Sequence, residues 1–199
     1  MSFDDLIASN DTSLDDLASF FDALDHRGRM DALSKTSKAQ QRKLWEIAAD
    51  APSLDATFFV PEGVADRTEV IHHGRNTLPA FNSFQKRFAR PDGGGDLFGY
   101  NEGATRPLIG PGYFVAHTTA GNPTWESRSA YVIDYFMVPS GATPSGWPAI
   151  KPNSSGLQMF VYNKTRDFMR RVSDHVSIGM AFKVEKSLNN WFTLIREDR

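Results

Sequence analysis

Cysteine is absent from all 199 residues, which removes disulfides, thiolate nucleophiles, cysteine-ligated zinc and iron–sulfur clusters together. Long apolar runs are absent as well: no window approaches the roughly 20 apolar residues that a membrane-spanning helix needs. The first residues, Met1-Ser2-Phe3-Asp4-Asp5, are acidic and lack the basic-then-apolar pattern of a secretory signal. The expected setting is the cytoplasm, with no membrane partner. Charge of one sign is also scarce. The net charge of -2 gives no global reason to expect nucleic acid or an anionic surface as partner. No strand is followed by a glycine-rich helix start, so neither a P-loop nor a dinucleotide fingerprint is present, and no cofactor is called for.

What is present is a globular composition. Apolar residues make up 40% and charged residues 23%, which excludes disorder over most of the chain. The length suits one sizeable core, and the expectation is a single domain over 1–199, with a helical segment at 1–52 and a β-rich body at 53–199.

Ser13-Leu14-Asp15-Asp16 opens a helix with a capping-box pattern, and Leu14, Leu17, Phe20, Phe21 and Leu24 recur at helical spacing towards Asp25. A short helical piece is expected near Met30–Ser34. Ser37 opens a further helix to about Ala49, which Pro52 ends. After Pro52 the period shifts towards two. Strands are expected at Thr57–Val60, Glu69–His73, Asp96–Tyr100, Tyr113–Thr119, Ser129–Val138, Leu157–Asn163, Val176–Val184 and Trp191–Arg196. Thr77 as a cap, Pro79 near the first turn, and Leu78, Phe81, Phe84 and Phe88 spaced by three and four suggest a helix over Leu78–Ala89, and a short one is expected over Lys164–Arg171. The separators are rich in glycine and proline. The fold class expected is therefore α+β: N-terminal helices followed by a strongly curved antiparallel sheet or barrel of about eight strands.

Asp134 is the most conspicuous candidate for chemistry, because it interrupts the apolar run Ala130–Val138. A carboxylate there needs a cation, hydrogen-bond donors or a raised pKa. It serves either as a catalytic acid or base facing a cavity, or structurally, as half of an ion pair with an arginine such as Arg106 or Arg128 or as an acceptor from backbone amides. His117 follows the Gly110-Pro111-Gly112 turn on an expected strand and is the companion catalytic candidate. Arg106 belongs to a basic group with Arg75, Lys86, Arg87 and Arg90 that offers bidentate recognition of an anion or a solvated face. Tyr113, Tyr135, Trp147, Arg106 and His73 complete the expected ligand-binding set.

No metal is expected. His72 and His73 are adjacent, so on a strand they face opposite ways; the chain has no His-x-His, and His26 and His175 show no ligand spacing. The stretch Pro139–Gly156 is long for a loop, and Trp147 and Ile150 give it apolar anchors; it reads either as an ordered flap over a barrel mouth or as a strap along a sheet edge. In Val176–Val184 large residues alternate with Ser177, Gly179 and Ala181, leaving one face nearly bare for a ligand, a closely packed neighbour or a bulge. A basic stripe between Arg27 and Lys43 imitates a helix-turn-helix. The helix that follows, however, carries Leu44, Trp45 and Ile47 where base-reading polar residues belong. Three functions remain open: a small-molecule-binding barrel, an enzyme using Asp134 and His117, and an interaction module without a cavity. The partners compatible with this reading are a small-molecule ligand and, in a homo-oligomer, a second copy of the chain.

Overall fold

A computed structural model describes residues 2–78 and 82–198. The chain begins with four helices, α1 (Phe3–Ala8), α2 (Leu14–Asp22), α3 (His26–Leu33) and α4 (Lys38–Ile47), followed by a single 3-10 turn at Ala48–Asp50 and the short helix α5 (Ala56–Phe59). Ser2, Ser13 and Ser37 each form a reciprocal capping box, with Asp5, Asp16 and Gln40 respectively, so the starts of α1, α2 and α4 are fixed locally.

Eight strands follow: β1 (Val70–Asn76), β2 (Ser83–Ala89), β3 (Leu97–Glu102), β4 (Phe114–Thr118), β5 (Tyr131–Asp134), β6 (Thr165–Arg171), β7 (Val176–Lys183) and β8 (Lys186–Arg196). Three more short helices lie between them: α6 (Arg106–Ile109), α7 (Pro123–Glu126) and α8 (Gln158–Val161). Each strand pairs antiparallel with the next and β8 pairs back onto β1, so the sheet closes into a barrel. Closure leaves no edge strand open to further pairing. An eight-stranded barrel has an interior just wide enough to be filled by side chains or to hold one small ligand.

The α+β class and the count of eight strands agree with the sequence, but four segments exchange type. The expected helix over Leu78–Ala89 is instead β2 from Ser83 onward, with Pro79 and Phe81 outside the described residues; the expected helix over Lys164–Arg171 is β6. Conversely, the expected strands Thr57–Val60 and Leu157–Asn163 are covered by the four-residue helices α5 and α8. Asp55 explains the first of these, because its side chain accepts from the backbone N–H groups of Thr57 and Phe58 and caps a helix start.

Two apolar cores result, one on each side of the barrel wall. Outside, Phe3, Leu17, Phe21, Leu44 and Trp45 of the helices pack on Val132, Phe168, Val176, Ile178, Trp191 and Ile195 of the strands. The basic stripe of α3 and α4 therefore belongs to helices whose apolar faces are used against the barrel. Inside, Phe59, Val70, Phe88, Leu97, Phe114, Tyr131, Ile133, Met169 and Leu194 pack together. Phe59 plugs one end, with its ring 5.2 Å from Tyr131 and 5.0 Å from Phe88.

The interior contains a repeated device. Gly74, Gly99 and Gly179 face Phe84, Phe114 and Phe192 directly across neighbouring strands. A Cβ at Gly179 would come within 2.2 Å of Phe192 Cζ, and one at Gly74 within 2.4 Å of Phe84 Cζ. Each glycine is thus the seat of a phenylalanine ring, which explains the bare face of β7.

Candidate functional site

The end of the barrel opposite the Phe59 plug is open and leads into a cavity of about 330 Å³. Inward-facing strand residues form its deep part: Phe84 and Lys86 of β2, Asn101 of β3, Asp167 of β6 and Phe192 of β8, with Tyr135 just after β5. Ile109, Val161, Tyr162 and Leu188 form the rim. The helices α6 and α8 that supply this rim also expose Leu108 at 75% and Phe160 at 72%, so the approach to the mouth is apolar.

The floor is polar and buried. Lys86 Nζ donates to Asp167 Oδ2 and to Asn101 Oδ1, both at 3.0 Å, and to the hydroxyl of Tyr135. Asn101 Nδ2 is fixed by the carbonyl oxygen of Gly112 at 2.9 Å. The Lys86 side chain is 3% exposed and that of Asp167 9%, so neither charge has water as an alternative partner. Burial pulls the Lys86 ammonium below the ordinary lysine value, while the carboxylate of Asp167 opposes the shift. Burial likewise pushes the Tyr135 hydroxyl well above the usual tyrosine range, and that of Tyr162 up to about 12, so both remain neutral donors. Aromatic rings surround the ammonium: Nζ lies 5.0 Å from the centroids of Tyr135 and Phe192 and 5.3 Å from that of Phe114. The site is therefore an aromatic well ending on a charge-balanced group of hydrogen-bonding atoms.

The residues singled out in the sequence are distributed over four places. Tyr135 and Arg106 line the mouth, where Arg106 Nε donates to Glu102 Oε1 at 2.7 Å and so enters as a neutral pair. Asp134 and His117 lie together on the outer wall. The arginine that meets Asp134 is Arg166, at 2.8 Å, in place of the expected Arg106 or Arg128, because Asp134 and Arg166 are register partners on β5 and β6. Phe136 N donates to Asp134 Oδ1 at 2.7 Å, and His117 Nε2 lies 3.9 Å from Oδ2. Burial works against ionisation of Asp134, but His117, Arg166 and the Phe136 amide together hold its carboxyl below the ordinary range. In return Asp134 raises the pKa of His117. Arg166 itself stacks on Trp125 and Phe136, 4.2 and 4.0 Å from their centroids, and reaches Glu185.

Tyr113 and Trp147 form a third group. The Trp147 ring packs against Phe98 and Tyr100, its Nε1 donates to Glu69 at 2.6 Å, and the Tyr113 hydroxyl donates to the carbonyl oxygen of Pro148 at 2.5 Å. Asn153 Nδ2 ties the same segment to the carbonyl oxygens of Tyr113 and Tyr135. The segment 139–156 therefore lies along the barrel wall; it is neither a flap over the mouth nor a strap on a sheet edge, since the closed barrel has no edge for it to cover. His73 is the fourth case. It points outward from β1 and meets Glu197 at 2.7 Å, and with His26 the two form the one group of three metal-capable side chains found among the described residues.

Asp167, Asn101 and Tyr162 carry the mouth without any sequence pattern marking them, and Lys86 was visible only as one of several basic residues. No family model, curated protein or solved structure matches the chain, so its function rests on the site alone.

Proposed function

We propose that the protein binds a small molecule inside the open end of the barrel. The observation that carries this reading is the aromatic cavity ending on the buried cluster of Lys86, Asp167, Tyr135 and Asn101. At about 330 Å³ it falls at the lower end of the size range of ligand pockets, roughly 300–1,000 Å³, and it has their usual makeup of apolar walls with a few convergent polar groups. The ligand has an aromatic or apolar body and an uncharged head, such as a hydroxyl or carbonyl, because both ion pairs at the site, Lys86–Asp167 and Arg106–Glu102, are already balanced. Tyr135 and Asn101 supply the orienting hydrogen bonds. A cytoplasmic setting accords with a chain that has no cysteine to oxidise. The reading of Asp134 and His117 as an acid–base pair has less support, since Arg166 holds the carboxylate on the outer wall.

Titration with N-phenyl-1-naphthylamine, a neutral aromatic fluorophore, tests the proposal. Ala181 faces the cavity from β7, and Ala181→Phe is expected to fill it and weaken probe binding at least tenfold while the circular dichroism stays unchanged. Equal binding by the wild type and Ala181→Phe, or no binding by the wild type, would remove the mouth as a ligand site.

A further inference from the structure

We propose that His26, His73 and Glu197 form a binding site for a divalent transition-metal ion of the zinc class, outside the barrel and independent of the mouth. Their ligand-capable atoms all lie within 4.8 Å of one another. His73 Nε2 and Glu197 Oε1 are 2.7 Å apart, and the rings of His26 and His73 are 5.2 Å apart. The three residues come from separate parts of the chain: the first residue of α3, the outward face of β1, and the segment directly after β8.

Each is held in place by backbone geometry that does not depend on a metal. His73 pairs with Ile195 in the β1–β8 ladder, and Glu197 N donates to the carbonyl oxygen of Ile71 at 3.0 Å, which extends that ladder by one step. His26 N donates to Asp198 Oδ2 at 3.0 Å, while Arg29 binds the other oxygen of Asp198. The C-terminal segment therefore meets the start of α3 with Glu197 beside both imidazoles.

A second observation points to a missing ligand. His26 Nδ1 is buried and has no hydrogen-bond partner, and a buried polar atom left unpaired calls for a partner. A metal ion would satisfy it. Two imidazole nitrogens and one carboxylate oxygen suit zinc and its neighbours, whereas calcium and magnesium prefer sets made of oxygen alone. All three residues are partly exposed, so an ion can reach them and a fourth position remains for water or an exogenous ligand. Bound there, the ion clips α3 to the seam where β1 and β8 close the barrel.

Sequence spacing conceals such a site, because its ligands are far apart in the chain. The test uses the full-length protein dialysed against a chelator and titrated with Co2+, whose visible absorption reports its ligands, and with Zn2+ by calorimetry. One ion per chain is expected to bind, with a gain in thermal stability. His26→Ala, His73→Gln and Glu197→Gln are each expected to weaken binding at least tenfold while retaining the circular dichroism of the parent. His117→Ala, on the outer wall at β4 and away from the β1–β8 seam, is expected to leave binding unchanged. Absence of a Co2+ band and of Zn2+ heat in the wild type would overturn the proposal. So would undiminished affinity in His26→Ala and Glu197→Gln, which would put any bound ion elsewhere.

Discussion

Lys86 Nζ lies 3.0 Å from Asp167 Oδ2, and because β2 and β6 stand on opposite sides of the eight-stranded ring, this ion pair crosses the bore of the barrel. Burying two charges is costly, and their attraction with the added bonds from Asn101 and Tyr135 offsets that cost only while both are present. Lys86→Met is therefore expected to destabilise the fold by about 3–5 kcal/mol through the stranded carboxylate. The double variant Lys86→Met/Asp167→Leu is expected to recover most of the loss. Urea unfolding of the single and double variants measures both. A double variant no more stable than the single would mean that the pair itself, and not the stranded charge, sets the stability.

The glycine seats should differ in tolerance according to what surrounds them. At Gly99 a Cβ would come within 2.1 Å of the backbone oxygen of Arg87 as well as 2.5 Å of Phe114 Cζ, whereas at Gly179 the contacts are with the Phe192 ring alone. Overpacking of this kind costs about 1–3 kcal/mol. Gly99→Ala is expected at or above the upper end, since a paired backbone cannot retreat. Gly179→Ala is expected nearer the lower end, with Phe192→Leu restoring stability when combined with it. Thermal unfolding of the three variants gives the order directly.

Two histidines should respond to acid in opposite ways. His72 is fully buried inside the barrel with Nε2 2.9 Å from the carbonyl oxygen of Phe59, and burial lowers its pKa from 6.5 to about 3. Below pH 6.5 the unfolded chain takes up this proton and the folded one does not, so stability falls by about 1.4 kcal/mol per pH unit, towards roughly 5 kcal/mol in all. His72→Gln is expected to flatten that acid limb. His117 has the reverse sign: Asp134 raises its pKa, so its contribution is complete below the unfolded value of 6.5 and is lost as pH rises through the folded one. Nitrogen-15 NMR of the imidazoles is expected to show His72 neutral down to about pH 4 and His117 titrating above pH 6.5.

Asp134→Asn should separate the outer wall from the mouth. Arg166 keeps Glu185 and its stacking on Trp125 and Phe136 when the charge of Asp134 is removed, so the expected loss is about 1–3 kcal/mol, that of a charge-assisted hydrogen bond to a buried carboxylate. Binding of the fluorescent probe at the mouth is expected to be unchanged. A large loss of probe binding at unchanged stability would instead return Asp134 to the ligand site.

The sequence conveyed the class of the fold and the helices α2 and α4 well, because capping boxes and heptad-like apolar spacing are local signals. It misled at β2 and β6, and the reason is instructive. Phe84, Lys86 and Phe88 all face inward, as do Thr165, Asp167 and Met169. Placing a lysine or an aspartate at an interior position breaks the alternation that identifies a strand, and a spacing of four between two phenylalanines fits a strand as well as a helix. The two residues that form the floor of the mouth thus disguised the strands that carry them. Asp134 drew attention for the opposite reason, since its strand is apolar on both faces; the outer face is covered at Val132 by the helical layer, and its arginine lies on the adjacent strand.

The outer core joins the beginning of the chain to its end. Phe3, Leu17, Phe21 and Leu44 are covered by Val176, Ile178, Trp191 and Ile195, and the β1–β8 seam joins distant segments as well. During synthesis the helices emerge first, yet the surface on which they dock is completed only with the last hairpin. The helices α1 to α4 therefore keep their apolar side uncovered until β7 and β8, which follow them by more than a hundred residues, have been made. Contacts between such remote segments make for slow folding, and here they join the N-terminal helices to the β7–β8 hairpin.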